Sequence, residues 1–253
     1  MLDEMIDILC RERGEKLPHL RDSNKFAYFR ALVNVRPPIP ASEEFLNLQD
    51  KYLQQEIQKK GITDIADLRP LWGDIYLWKG DITTLKCDGI VNAANSKMLG
   101  CFCPNHGCID NAIHTYAGIQ LRSECAEIMK KQGHDEPTGT AKITKAYNLP
   151  CKYILHTVGP VVHGRLTEQN KTDLANCYRA CLTLADKNGL NSLAFCCIST
   201  GEYRYPKKDA CHLAVNTVRE WKTATGSPLK IIFNVFLSED EKYYERELGT
   251  ENK

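Results

Sequence analysis

From Trp72 onward, short apolar runs alternate with amphipathic segments, a pattern that restricts the chain to folds in which helices cover a β-sheet. Strand-like runs fall at residues 75–78, 89–92, 141–146, 153–158, 192–198 and 230–237, and helical segments at about 109–131, 167–187 and 208–223. Spacing supports two of the helices. Leu174, Cys177, Tyr178, Cys181, Leu182 and Ala185 recur at i, i+3, i+4, as do Ala210, Leu213, Ala214, Val218 and Trp221, and both stripes read as core faces. Residues 1–70 differ. They hold helical patterns around Phe29 and Tyr52, no convincing strand, and a Pro-rich break at Arg36-Pro37-Pro38-Ile39-Pro40. The expected organisation is a helical extension over residues 1–71 followed by an α/β domain over 72–253.

Charge and cysteine content narrow the function. Among 253 residues, 33 Lys+Arg balance 32 Asp+Glu, so no long-range field draws a polyanion and nucleic acid is not an expected partner. Apolar stretches are short and broken by charges, and the first sixteen residues lack the basic-then-apolar order of a signal peptide. A cytoplasmic protein with no membrane partner is therefore expected, a monomer by default. In such a setting 12 cysteines read as reduced thiols, some of them available to a metal.

In α/β sheets ligands bind beyond the carboxyl ends of strands, which directs attention to three segments. Gly80-Asp81-Ile82-Thr83 offers a carboxylate that could accept from a purine amine, or simply a Gly-Asp turn. Asn92-Ala93-Ala94-Asn95 leads into Gly100-Cys101-Phe102-Cys103-Pro104-Asn105-His106-Gly107-Cys108, where three cysteines and a histidine within eight residues form a metal signal. A closed zinc finger would need a second ligand pair at a distance. Cys196-Cys197 is expected inside a buried strand, so three ligands with an open fourth position are plausible, drawn from Cys101, Cys103, His106 and Cys108. Asp110 follows in the first helical turn, placed either to cap that helix or to face the metal as a general base. Ile198-Ser199-Thr200-Gly201-Glu202-Tyr203 runs from a strand towards a helix and could present backbone N–H groups to a diphosphate.

Taken with Thr138-Gly139-Thr140-Ala141 and His156-Thr157-Val158-Gly159-Pro160, these strings resemble the macrodomain family in order and spacing over residues 72–245. Where most macrodomains carry a glycine-rich loop, the form Cys-x4-His-x-Cys followed by Ile-Asp-Asn resembles the zinc-containing microbial subgroup, as does the helical extension. The resemblance implies a three-layer α/β/α sandwich with a mixed sheet and removal of mono-ADP-ribose from modified proteins. It implies one Zn2+ per chain on Cys101, His106 and Cys108, with Cys103 a bystander. Asp81 and the backbone of Ile82 would hold the adenine amine, Phe236 would stack on the base, and Ser199, Thr200, Gly201, Glu202 and Tyr203 would wrap the diphosphate. Asn95 would lie beside the distal ribose, near the zinc, with Asp110 assisting proton transfer. The competing function is an ADP-ribose reader that binds without cleaving, its zinc only stiffening the loop. His114 is expected as a core histidine or a support for Asp110, and His156 and His163 as structural.

Overall fold

The computed structural model describes residues 1–249. In chain order these form helices α1 (Leu2–Glu12), α2 (Asp22–Val35) and α3 (Glu43–Lys60), then strands β1 (Thr63–Asp64), β2 (Ile75–Lys79), β3 (Leu85–Lys86) and β4 (Gly89–Ala94). Helices α4 (Ile109–Ala117) and α5 (Ile119–Gln132) follow, then β5 (Ala141–Lys145), β6 (Tyr153–Val158), α6 (Glu168–Lys187), β7 (Ser192–Phe195), α7 (Lys207–Thr225), β8 (Lys230–Val235) and α8 (Ser238–Gly249).

Six strands form one mixed sheet in the order β2-β8-β7-β4-β6-β5, parallel throughout except for the antiparallel edge pair β5–β6. The inner strands read as continuous apolar runs because helices cover both faces, as in Ile231, Ile232 and Phe233 of β8 and Ile154 and Leu155 of β6. Helices α6, α7 and α8 pack one against the next beside the sheet; α4 packs on β4 and against α2 and α3, and α5 on α4 and β5. Parallel pairing has one consequence that governs function. The carboxyl ends of β4, β6, β7 and β8 lie along the same edge, so the segments after Ala94, Val158, Phe195 and Val235 meet there.

The expected helix over 109–131 is two helices. At Gly118 the chain takes φ +98°, and a Cβ there would sit 2.6 Å from Gln120 Oε1 and 2.7 Å from Gln49 Nε2. Only glycine fits, and the turn redirects the chain. The strand expected to reach Ile198 ends at Phe195, which leaves Cys196 and Cys197 beyond the strand and not inside it. The appendage is also not strandless, since Thr63–Asp64 pairs with Leu85–Lys86 in parallel. Helix α8 escapes a periodicity search because it is strongly polar; it buries only Asp240, Tyr244 and Leu248, one per turn. Tyr244 nevertheless seats against Phe233 with ring centroids 4.9 Å apart.

Helices α1 to α3 bury a core of their own around Met5, Ile6, Phe29, Phe45 and Leu53, to which Ile119 of α5 contributes. Arg122 of α5 joins this bundle to the sheet domain. Its side chain is buried and donates from Nε to Leu99 O at 2.7 Å, from Nη1 to Val33 O at 2.9 Å and to Arg36 O, while the guanidinium lies 4.3 Å from the centre of the Phe102 ring. Removing it strands buried carbonyls at the junction. Arg122→Met is expected to lose about 3 kcal/mol of stability in urea unfolding, a loss under about 1 kcal/mol showing instead that those carbonyls find other donors.

Candidate functional site

The shared strand edge encloses a cleft of about 870 Å³, within the range of small-molecule sites. Its walls come from Asn95 after β4, residues 101–103 and 106–110, Gly159 after β6, residues 199–203, and Phe236 and Leu237 after β8. Of the residues singled out in the sequence, Asn95, Cys101, His106, Cys108, Asp110, Ser199, Thr200, Gly201, Glu202, Tyr203 and Phe236 all line it. Asp81 and Ile82 do not. Asp81 caps the turn that follows β2, its Oδ1 accepting from the N–H and hydroxyl of Thr83, and its Oδ2 pairs with Lys60 Nζ at 2.7 Å. Ile82 is packed in the core. Both lie beside the cleft, where the Asp81 carboxylate, 37% exposed, holds the Thr83 turn and a lysine from α3.

Cys101, His106 and Cys108 bring one donor atom each to within 4.8 Å of one another, and Cys101 Sγ lies 3.6 Å from His106 Nδ1. Cys103 is exposed and stands outside this group. Cys108 ends the loop as the cap of α4, its sulfur accepting from Asn111 N at 3.4 Å. Burial pushes the Cys108 thiol up to about 12, against the pull of that Asn111 N–H, so it ionises at neutral pH only opposite a cation. Two soft sulfurs and an imidazole suit zinc in kind and number. The far nitrogen of His106, Nε2, lies 3.4 Å from Glu202 Oε1, a carboxylate–imidazole contact that spans the cleft from the Ser199 loop.

Asp110 does not cap α4, the first of its two expected placements. It is buried, Oδ1 accepting from Asn92 Nδ2 at 2.8 Å and Oδ2 from Asn95 Nδ2 at 3.4 Å. Burial raises its pKa to about 6, with Asn92 and the Arg122 charge pulling the other way. The second hydrogen of Asn92 Nδ2 goes to His156 Nδ1 at 3.1 Å, and His156 Nε2 meets Thr144 Oγ1 at 2.9 Å. An amide nitrogen only donates, so Nδ1 accepts and Nε2 carries the proton to Thr144. The chain Thr144–His156–Asn92–Asp110 therefore fixes one imidazole tautomer and the carboxylate rotamer. Neither Asn92 nor His156 touches the cleft; a buried polar pair in adjacent parallel strands, Asn92 opposite His156, was the signal available in the sequence.

On the opposite wall Ser199 takes φ +66° and Arg204 φ +57°, a left-handed pair held by Tyr205 N donating to Ser199 O and Val162 N donating to Tyr203 O. Ser199 Oγ is buried without a partner, aimed at Gly159, where a Cβ would come within 2.0 Å of it. A ligand approaching this wall meets the open backbone at Gly201, with the buried Ser199 hydroxyl behind it. Cys196, Cys197, Asn234 and Asp240 also line the cleft and were not singled out; placing the end of β7 at Phe195 would have exposed the two cysteines as post-strand residues.

A model of the Macro domain matches residues 91–214. The chain is 56% identical over 250 residues to a protein of Treponema medium named protein-ADP-ribose hydrolase, covering 96% of this chain and 95% of that one. A Staphylococcus aureus (strain MSSA476) protein of the same name is 48% identical over 248 residues, covering 96% and 93%. The chain belongs to the macro domain family. Among solved structures, a Trypanosoma brucei macrodomain in complex with ADP-ribose superposes with a TM-score of 0.67 at 32% identity, over 90% of this chain and 96% of that one. An Oceanobacillus iheyensis macrodomain with ADP gives 0.63 at 34% identity, over 70% and 90%.

This macrodomain holds a second trio of possible ligands, His114, Cys125 and His156, all buried. His156 spends both ring nitrogens on Asn92 and Thr144, which marks the trio as core. His114 lies one helical turn from Asp110, Nε2 3.6 Å from Oδ1 and beyond hydrogen-bond reach, and neither of its buried ring nitrogens has a hydrogen-bond partner. Burial lowers the basicity of both imidazoles, His156 to about 3 and His114 well below its usual value. A base whose folded constant is depressed takes its proton first in the unfolded chain, so its contribution to stability is whole above pH 6.5 and falls away as pH drops towards 3. For His156 the loss is on the order of 5 kcal/mol by pH 3. A His156→Gln protein, followed by urea unfolding from pH 7 to pH 4, is expected to show a flatter profile than the parent; parallel profiles would mean that His156 is not buried neutral.

Proposed function

We propose that this macrodomain is a hydrolase that releases mono-ADP-ribose from modified protein side chains, acting as a monomer with one Zn2+ held by Cys101, His106 and Cys108. The observation that carries the proposal is the convergence of those three donors and the buried carboxylate of Asp110 on one cleft, in a chain whose relatives are named protein-ADP-ribose hydrolases. The complexes of other macrodomains with ADP-ribose and ADP support the same class of ligand.

On this reading the parts of the ligand follow the chemistry of the cleft walls. Phe236, 71% exposed at the carboxyl end of β8, offers a flat face for the adenine. Backbone N–H groups of residues 199–203, with the unpartnered Ser199 hydroxyl, receive the diphosphate, which explains how a chain of net charge +1 holds a dianion. Glu202 is better suited to His106 than to a phosphate, since a carboxylate repels it. Asn95 and Asp110 stand together beside the Cys/His loop, at the distal-ribose end.

Hydrolysis breaks the bond between the anomeric carbon and the acceptor atom of the side chain. Water supplies a hydroxyl to the carbon and a proton to the acceptor. Asp110, held near 6 by burial and oriented by Asn92 and Asn95, accepts the proton from the attacking water and returns one to the leaving side chain. A bound zinc would supply a Lewis acid at the ribose end of the cleft. The protein's own part is to keep Asp110 in one rotamer and to hold the diphosphate so that the ribose reaches it.

Cys101→Ala and His106→Ala are each expected to lower release of ADP-ribose from a mono-ADP-ribosylated protein by at least about a hundredfold, while circular dichroism and ADP-ribose binding persist. Purified parent protein is expected to carry one zinc per chain and to lose turnover to a chelator. Full activity in either variant would overturn the zinc assignment, and tight ADP-ribose binding without release under any metal condition would establish a reader.

A further inference from the structure

The Cys/His loop has little backbone structure of its own: within it, His106 N donates to Cys103 O at 3.2 Å. Its conformation is imposed from the N-terminal bundle. Arg30 of α2 donates from Nη2 to the carbonyl of His106 at 2.8 Å, and from Nε and Nη2 to Asn111 Oδ1 at 3.0 and 2.7 Å. Asn111 is buried and passes the constraint on, its Nδ2 donating to Cys103 O at 2.9 Å. One turn further along α2, the buried side chain of Asn34 accepts from Asn105 N at 2.9 Å and donates from Nδ2 to Thr115 Oγ1 at 3.0 Å. Asn105 itself sits at φ +55°, a left-handed conformation that the bond from Asn34 holds in place. The clamped backbone thus belongs to the ligand His106 and to the residue before it.

We infer that Arg30 and Asn34 are positioning residues for the Cys/His loop, and that α2 thereby sets where His106 Nδ1 stands relative to Cys101 and Cys108. The guanidinium does this as a fork, two of its nitrogens reaching two acceptors at once. Helix α2 is a firm base for the clamp, because Phe29 is fully buried and Phe26 packs against Tyr52 and Tyr116 with ring centroids 6.2 and 6.0 Å apart. The N-terminal bundle is on this account part of the site's machinery and more than a cover for the sheet. The role in metal binding rests on the zinc assignment above; the clamp on the loop does not.

The test uses the full chain with Arg30→Ala, Arg30→Lys and Asn34→Ala, and with Lys25→Ala as a control on the same helix, where Lys25 pairs with the exposed Asp3 and Asp22. Zinc affinity is read by competition with a chromophoric chelator, and backbone hydrogen exchange over residues 100–111 is read in the metal-free proteins. Zinc affinity is expected to fall about ten- to a hundredfold in the three clamp variants, and loop exchange to quicken, with Lys25→Ala matching the parent. Arg30→Lys keeps the charge and loses the fork, so it remains informative if Arg30→Ala fails to fold. Parent-like zinc affinity and parent-like exchange in folded clamp variants would overturn the inference. Faster exchange in the variants of a parent chain that takes up no zinc would uphold the clamp and sink the zinc assignment instead.

Discussion

The parallel pairing of β4 with β6 and β7 is the constraint on which the rest depends. Strands that run the same way finish at the same edge, and each must be followed by a segment that turns back towards a helix. In this chain those segments carry the Cys/His loop, Gly159, the Ser199 loop and Phe236. None of them is near another in sequence. The cleft is thus a product of sheet direction, and its chemistry is set by which side chains happen to stand first after each strand.

Inside that frame a small set of buried polar contacts decides orientation. Asn92 divides one amide nitrogen between His156 and Asp110, which makes the sheet interior and the site carboxylate parts of the same hydrogen-bonded chain. The neutral, deeply buried imidazole is what allows this; a protonated His156 could not accept from Asn92. On the other side of the loop, Arg30, Asn34 and Arg122 tie residues 99–111 to the N-terminal helices through backbone carbonyls and one N–H. The cysteine-rich loop is thereby held from two directions by elements that contribute no donor atom to it.

Much of this arrangement was legible before any coordinates. Periodicity located the strands and helices of the α/β domain because apolar residues buried on both sheet faces and on one helix stripe leave strong patterns. It failed where burial is sparse or a single residue intervenes: α8 buries one residue per turn, and Gly118 breaks a helix whose apolar spacing runs on regardless. The position of the strand end at Phe195 was similarly invisible, since Cys196 and Ile198 are as buried as the strand itself.

The sequence by itself determined the class of fold, a loop with four candidate donors, Cys101, Cys103, His106 and Cys108, and the presence of an acidic residue close behind them, because ligand type and local spacing are properties of neighbouring residues; the fold groups Cys101, His106 and Cys108 and leaves Cys103 apart. Only the tertiary structure decided how each of the two carboxylates is held. Asp81 follows β2 and Asp110 stands in the first turn of α4; Lys60, 21 positions from Asp81 at the end of α3, pairs with the first, while Asn92 and Asn95 hold the second. It also decided that α2 clamps the loop, through contacts between residues separated by 71 to 81 positions. Such choices depend on which side chains the fold brings into hydrogen-bond reach and away from water, and no local pattern encodes that distance.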